Sequence, residues 1–213
     1  SPGLSENANT HTVTKATDGV LYAAVADNSD SYVVSCSSSC NLATSWTEVT
    51  NPFTNNATDH NLLAPLTGGD VMLINRDISL DDIRSRVWNG TSWGGWTTID
   101  ANAPESGVYD GGMAIALNHD TNTLYLAYVA DNEDFTTADH DIRTYRYSAG
   151  TWTAGSDVLT NDAGRGLQNV AVGVDQNTDN IYVAYLARST IGSAATAELF
   201  WQRSTDNLAT WDG

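Results

Sequence analysis

An all-β chain of four blade-like repeats, the architecture of a β-propeller, is what the 213 residues predict. Three observations carry this. A turn rich in Gly, Asn and Asp, followed by a strongly apolar strand, occurs four times. Tryptophans close the repeats at Trp46, Trp96, Trp152 and Trp211, 50 to 59 residues apart. No stretch shows a helical period. Four strands per unit of about 50 residues, with the length differences in loops, is the arithmetic of a propeller blade. A β-sandwich or an array of hairpins would not repeat one phrase four times. The reading is a single propeller-like domain over 1–213, with repeats near 8–52, 58–102, 108–162 and 166–213.

Each repeat opens on a short, loosely alternating strand: His11 to Thr14, Asn61 to Ala64, Met113 to Leu117 and Val170 to Val174. The turns that follow are Thr17-Asp18-Gly19, Thr67-Gly68-Gly69-Asp70, His119-Asp120-Thr121-Asn122 and Gln176 to Asn180. Gly, Asn and Asp tolerate the positive φ that hairpin turns demand. The second strands are the most apolar, from Val20-Leu21-Tyr22-Ala23-Ala24-Val25 to Ile181-Tyr182-Val183-Ala184-Tyr185-Leu186. Such runs suit strands buried on both faces. Third strands alternate polar and apolar, as in Ile83 to Trp88 and Ile142 to Tyr147, which suits half-exposed strands. A turn then delivers the Trp and a fourth strand, such as Thr47 to Thr50 or Thr97 to Asp100. The last repeat stops at Gly213. The expectation is a portion of a larger propeller, or self-association through an open final blade.

The formal charge of −17 comes mostly from aspartate, and Lys15 is the only lysine. Such a surface repels phosphate backbones, so nucleic acid is set aside as a partner. The acidity fits a saline habitat, calcium binding or an acidic exoprotein without special purpose. No apolar run is long enough for a helical membrane span. Cys36 and Cys40 are the only cysteines. Zinc would want two more ligands and redox chemistry a C-x-x-C, so a disulfide at a hairpin tip fits better, with two free thiols the alternative. A disulfide implies an oxidising compartment, and the protein reads as secreted or cell-surface.

Ser204-Thr205-Asp206-Asn207-Leu208-Ala209-Thr210-Trp211 resembles the Asp-box (BNR) repeat of sialidase-like propellers, S-x-D-x-G-x-T-W, with Leu208 at the usual glycine. Ser38 to Trp46 is a degenerate copy with Cys40 at the Asp position. Gly90-Thr91-Ser92-Trp93 and Gly150-Thr151-Trp152 are remnants. Ser204, Asp206 and Trp211 are expected to be structural: the Asp accepts bonds from its own turn and the Trp packs between blades. The resemblance speaks to fold more than to activity.

The loop face, opposite the box turns, is where a ligand is expected. Arg76, Asp77, Arg165 and Arg188 stand there. Sialidases grip the substrate carboxylate with three arginines, so the resemblance makes Arg76, Arg165 and Arg188 candidates, although the Arg-Ile-Pro type motif is absent. Trp88 and Trp93 are candidates to stack on sugar rings, against the plainer reading that they pack a blade edge. In the acidic loop Asp131 to Asp141, Asp131, Asp134, Asp139 and Asp141 are the candidate calcium ligands, against the alternative of a solvated loop. No catalytic residue is assigned, because no G-x-S-x-G, Walker or dinucleotide motif occurs. The function expected is non-catalytic recognition of a glycan or protein partner. The alternatives are a sialidase-like glycoside hydrolase and a structural subunit of a surface assembly.

Overall fold

A computed structural model describes residues 12–26, 31–50, 52–53, 60–77, 80–103, 112–130, 141–159, 166–188 and 197–212. These residues are built from strands, and their helical content is two single 3-10 turns, Ala43–Ser45 and Thr67–Gly69. The chain divides into two compact units, Ser1–Asn102 and Ala103–Gly213.

The first unit holds two antiparallel four-stranded sheets, each a meander in chain order. One is β1 (Thr12–Lys15), β2 (Leu21–Ala26), β3 (Ser31–Cys36) and β4 (Thr47–Glu48). The other is β5 (His60–Pro65), β6 (Val71–Asp77), β7 (Asp82–Trp88) and β8 (Thr97–Asp100). Alternation decides what meets between them. Tyr22, Ala24 and Val33 project from one face of the first sheet onto Leu63, Val71, Leu73 and Trp88 of the second. Burial of each valine or leucine among them contributes about 1.5–3 kcal/mol. The β6 run is buried at every position, as its unbroken apolar sequence demands. Gly69 has φ +91° beside the Asp18 carboxylate, so this turn needs glycine for its backbone conformation. Cys36 and Cys40 are joined by a disulfide.

The second unit holds a four-stranded sheet of β9 (Met113–Asn118), β10 (Thr123–Ala130), β11 (Asp141–Ser148) and β12 (Thr151–Ala154). Beside it stands a three-stranded sheet of β13 (Gly166–Val174), β14 (Ile181–Arg188) and β15 (Ala197–Ser204). A single bridge, Arg203 to Asp212, continues beyond β15. Ala127, Val129 and Ile142 meet Val183, Tyr185 and Ala187 in the core between the two sheets. The hairpin turns take the backbone their residues favour: Asn122 has φ +51° and Asp179 φ +59°. At Gly112 a Cβ would stand 2.7 Å from the Val170 nitrogen, so this backbone approach depends on the missing side chain.

Candidate functional site

The turn after β15 is built by its own side chains. Asp206 Oδ1 accepts from the Thr210 backbone N–H at 2.9 Å, and Oδ2 accepts from the Thr210 hydroxyl at 2.6 Å. The Ser204 hydroxyl donates to Asp206 Oδ1 and accepts from the Leu208 N–H at 3.0 Å. These bonds, with the Thr210 hydroxyl foremost, hold the Asp206 carboxyl below the usual carboxylate range. Leu208 has φ +72°, a conformation natural to glycine, yet its side chain is 1% exposed. Trp211 Nε1 reaches the neighbouring sheet of the unit and donates to the Ser156 carbonyl at 2.9 Å.

A polar cleft of about 450 Å³ opens beside this turn. Thr205, Asp206 and Asn207 form one wall, and Asn118, Thr121 and Thr123 come from the β9–β10 turn opposite. Tyr125, Ser148 and Asp179 complete the lining. Cross-bonds hold the walls at a fixed spacing: Asn118 Nδ2 donates to Asp179 Oδ1 at 2.7 Å, and the Tyr125 hydroxyl to Asn207 Oδ1 at 2.7 Å. Burial, with Asp179 nearby, raises the Tyr125 pKa, so the phenol stays a donor. The lining is hydroxyl, amide and carboxylate, the groups that exchange hydrogen bonds with a polyol.

A second polar cluster lies in the first unit, where β6 ends and β7 begins. Register places Asn61, Asn75 and Arg84 side by side across three strands. Asn75 donates to Asn61 at 3.0 Å, and Arg84 Nε donates to Asn75 at 3.1 Å. Arg84 also pairs with Asp77 at 2.6 Å, and its guanidinium stands 4.5 Å from the Trp96 ring centre. Arg86 stacks over the same ring at 4.9 Å. Asp82, opposite Asp77 in register, has its pKa raised by burial and further by Asp77, against the opposing pull of Arg84.

The other sequence-predicted residues fall as follows. Arg76 and Asp77 are fully buried, and Asp77 serves as counter-ion to Arg84. Trp88 and Trp93 are ring neighbours at 5.4 Å and pack on the core of the first unit. Trp93 Nε1 donates to the Thr50 carbonyl at 2.7 Å, the counterpart of the Trp211–Ser156 bond. Arg165, Asp131, Asp134 and Asp139 lie outside the described residues. Arg188 is placed only as the end of β14, opposite Gly166 and Ala197. Asp141 pairs with Arg143 at 3.6 Å. Among the described residues no group of three or more His, Cys, Asp or Glu is placed to hold a metal. No described helix is long and apolar enough to cross a membrane. The polar cleft was not anticipated: its lining comes from separate segments, and it lies on the turn side.

No protein family and no curated protein matches the chain in sequence. Solved structures do match in fold. The GH93 alpha-L-arabinofuranosidase of Fusarium graminearum is 15% identical, with a TM-score of 0.62 over 93% of this chain and 63% of that one. The six-bladed fungal lectin of Aleuria aurantia is 14% identical, with a TM-score of 0.61 over 95% of this chain and 59% of the lectin. The NanB sialidase of Streptococcus pneumoniae is 12% identical, with a TM-score of 0.62 over 93% of this chain and 31% of that enzyme. The chain thus spans about three fifths of the arabinofuranosidase and of the lectin. Its fold is the sialidase-like β-propeller.

Proposed function

We propose that this chain is the glycan-recognising part of a secreted or cell-surface propeller protein, holding sugar in the polar cleft beside Asp206 without cleaving it. The observation that carries the proposal is the lining of that cleft, where hydroxyl, amide and carboxylate groups converge in about 450 Å³, room for one or two sugar rings. The neighbours by fold support it: an arabinofuranosidase, a fucose-recognising lectin and sialidases all handle glycans. The Ser204–Trp211 turn is read as an Asp-box, a structural element that frames the cleft. Most glycosidases need one carboxyl that holds a proton beside a second that is ionised, and sialidases, which replace the second by a tyrosine, still need an acid to protonate the leaving group. Asp206 is held ionised by its turn, so it is no proton donor.

A glycan array probed with the wild type and with Thr205→Trp tests this. Thr205 is an exposed residue of the cleft wall, and a tryptophan there fills the space. Retention on defined glycans, reduced at least tenfold in a variant of unchanged circular dichroism, is the expected result. No retention, or equal retention by the variant, refutes it.

One observation favours hydrolysis instead: Asp82, with its raised pKa, stands opposite Asp77. Release of sugar from array glycosides, abolished by Asp82→Asn, would move the function to the first unit.

A further inference from the structure

In the first unit, β7 leads towards β8 through the turn Asn89-Gly90-Thr91-Ser92, and all four residues are exposed. The Asn89 N–H donates to the Ser92 carbonyl at 3.2 Å, and a bridge between Trp88 and Trp93 closes the base of the turn. Asn89 Oδ1 accepts from the Thr91 N–H at 3.0 Å, the Thr91 hydroxyl at 2.9 Å and the Ser92 N–H at 2.9 Å. Two backbone donors on one atom fix that atom as the oxygen of the amide. The amide nitrogen, Nδ2, has no hydrogen-bond partner among the described residues.

In the second unit a carboxylate does the same task, where Asp206 accepts from the N–H and the hydroxyl of Thr210. A turn of this kind therefore requires an oxygen acceptor and nothing more. The amide at Asn89 adds a nitrogen that its turn does not use. Asn-x-Thr, with x other than proline, is the acceptor sequence for N-linked sugar. In a chain this rich in Asn and Thr the spacing alone is expected by chance, and it is the conformation that singles out Asn89. The other such stretch, Asn56-Ala57-Thr58, lies outside the described residues.

We propose that Asn89 is a modification site, its Nδ2 carrying an N-linked glycan attached during export. An amide nitrogen is a weak nucleophile, because its lone pair is shared with the carbonyl. Donors on Oδ1 draw charge onto the oxygen and make the N–H more acidic, so a base can take the proton as Nδ2 attacks. The sugar donor is an oligosaccharide joined through its anomeric carbon to a lipid phosphate or diphosphate. The bond from Nδ2 to that carbon forms and the bond from the carbon to the phosphate oxygen breaks. One proton leaves Nδ2, and the lipid phosphate departs as an anion. Oδ1 stays an acceptor in the product, so every bond of the turn survives the modification. There is room for it: a Cβ at Gly90 would meet nothing within 4 Å. The bonds to Oδ1 all come from within four residues, so the turn can form in a chain that has not yet folded around it. The inference shares with the proposed function only the export to which the Cys36–Cys40 disulfide points. It is independent of the polar cleft, which belongs to the second unit.

Mass spectrometry of the protein purified from the cells that make it tests this. Trypsin cuts after Arg86 and next after Arg143, which puts Asn89 and Asn56 in separate peptides. The 87–143 peptide is expected to carry a saccharide on Asn89. Asn89→Asp keeps the oxygen and loses the nitrogen, so it should lose the saccharide at an unchanged Tm. Thr91→Ser should keep the saccharide, and Thr91→Val should lower its occupancy at least tenfold. A bare 87–143 peptide overturns the proposal, whether the protein is exported or retained in the cell. Occupancy indifferent to Thr91→Val does so too. On the glycan array Asn89→Asp is expected to match the wild type, so the fate of the cleft is read separately from the fate of this site.

Discussion

Leu208 combines two opposed tendencies, and replacing it by glycine weighs one against the other. Its backbone lies at φ +72°, where an L-residue costs about 1–2 kcal/mol and glycine nothing. Its side chain, 1% exposed, packs with Tyr125 and Ile181. Removing a buried leucine costs about 2–5 kcal/mol, and the added chain entropy of glycine about 0.5–1 kcal/mol more. The side chain wins, and Leu208→Gly is expected to destabilise by roughly 2–4 kcal/mol, a fall in Tm on the order of 10 °C. Gly155 is the matching half. A Cβ there would stand 2.6 Å from Leu208 Cβ and 2.6 Å from the Thr144 hydroxyl. Thr144 cannot swing away without losing its 2.9 Å bond to the Ser156 carbonyl. Gly155→Ala therefore costs about 1–3 kcal/mol through overpacking. In the Leu208→Gly background one of the two clashes is gone, so the second substitution costs less than it does alone, by on the order of 1 kcal/mol. Denaturant unfolding of the wild type, both single variants and the double variant measures all four corners. A Leu208→Gly chain as stable as the wild type, or strictly additive costs, would refute the reasoning.

Two further outcomes are expected. Because the Asp82 pKa is raised in the fold, its ionisation destabilises: the stability it contributes is complete below the ordinary carboxylate value of about 4 and is lost as pH rises through the raised one. Asp82→Asn should therefore match the wild type in Tm at low pH and exceed it at pH 7, and a variant less stable at pH 7 contradicts the assignment. Reducing the disulfide between Cys36 and Cys40 opens a very short loop, worth roughly 2 kcal/mol by chain entropy. It also loosens the Cys40 carbonyl that accepts the Trp46 indole at 3.1 Å. A lower Tm with altered tryptophan emission is expected, and unchanged unfolding on reduction argues against it.

The strands were legible because period-two alternation and turn chemistry agree. Asn122 and Asp179 sit at positive φ where the Asp- and Asn-rich turns were expected. The Asp206 turn was legible because the accepting carboxylate and its donors, Ser204 and Thr210, lie within one short stretch of sequence. Trp93 shows where such reading stops. Asn89 Oδ1 accepts from the Thr91 N–H and hydroxyl much as Asp206 accepts from those of Thr210. The Asn89-Gly90-Thr91 stretch thus belongs to a tighter turn of the same logic, and Trp93, a candidate to stack on a sugar by sequence, instead donates its indole N–H to the Thr50 carbonyl. The Asn61–Asn75–Arg84 ladder was hidden for another reason. Those residues become neighbours only when two strand registers are fixed, and no local pattern encodes a register.

The Trp211–Ser156 bond belongs to a row of bonds with a mechanical consequence. Along the turn rim of the second unit, His119 N–H donates to Gln176, Gln176 Nε2 to the Leu117 carbonyl, Asn118 to Asp179, and the Ser156 N–H to the Leu208 carbonyl. All join the same pair of sheets. A force that slides one sheet along the other loads these links in parallel, so they must rupture together. A force that prises the sheets apart from one end of the row loads them in sequence, and each fails alone. The second unit is thus built to resist shear far better than peeling.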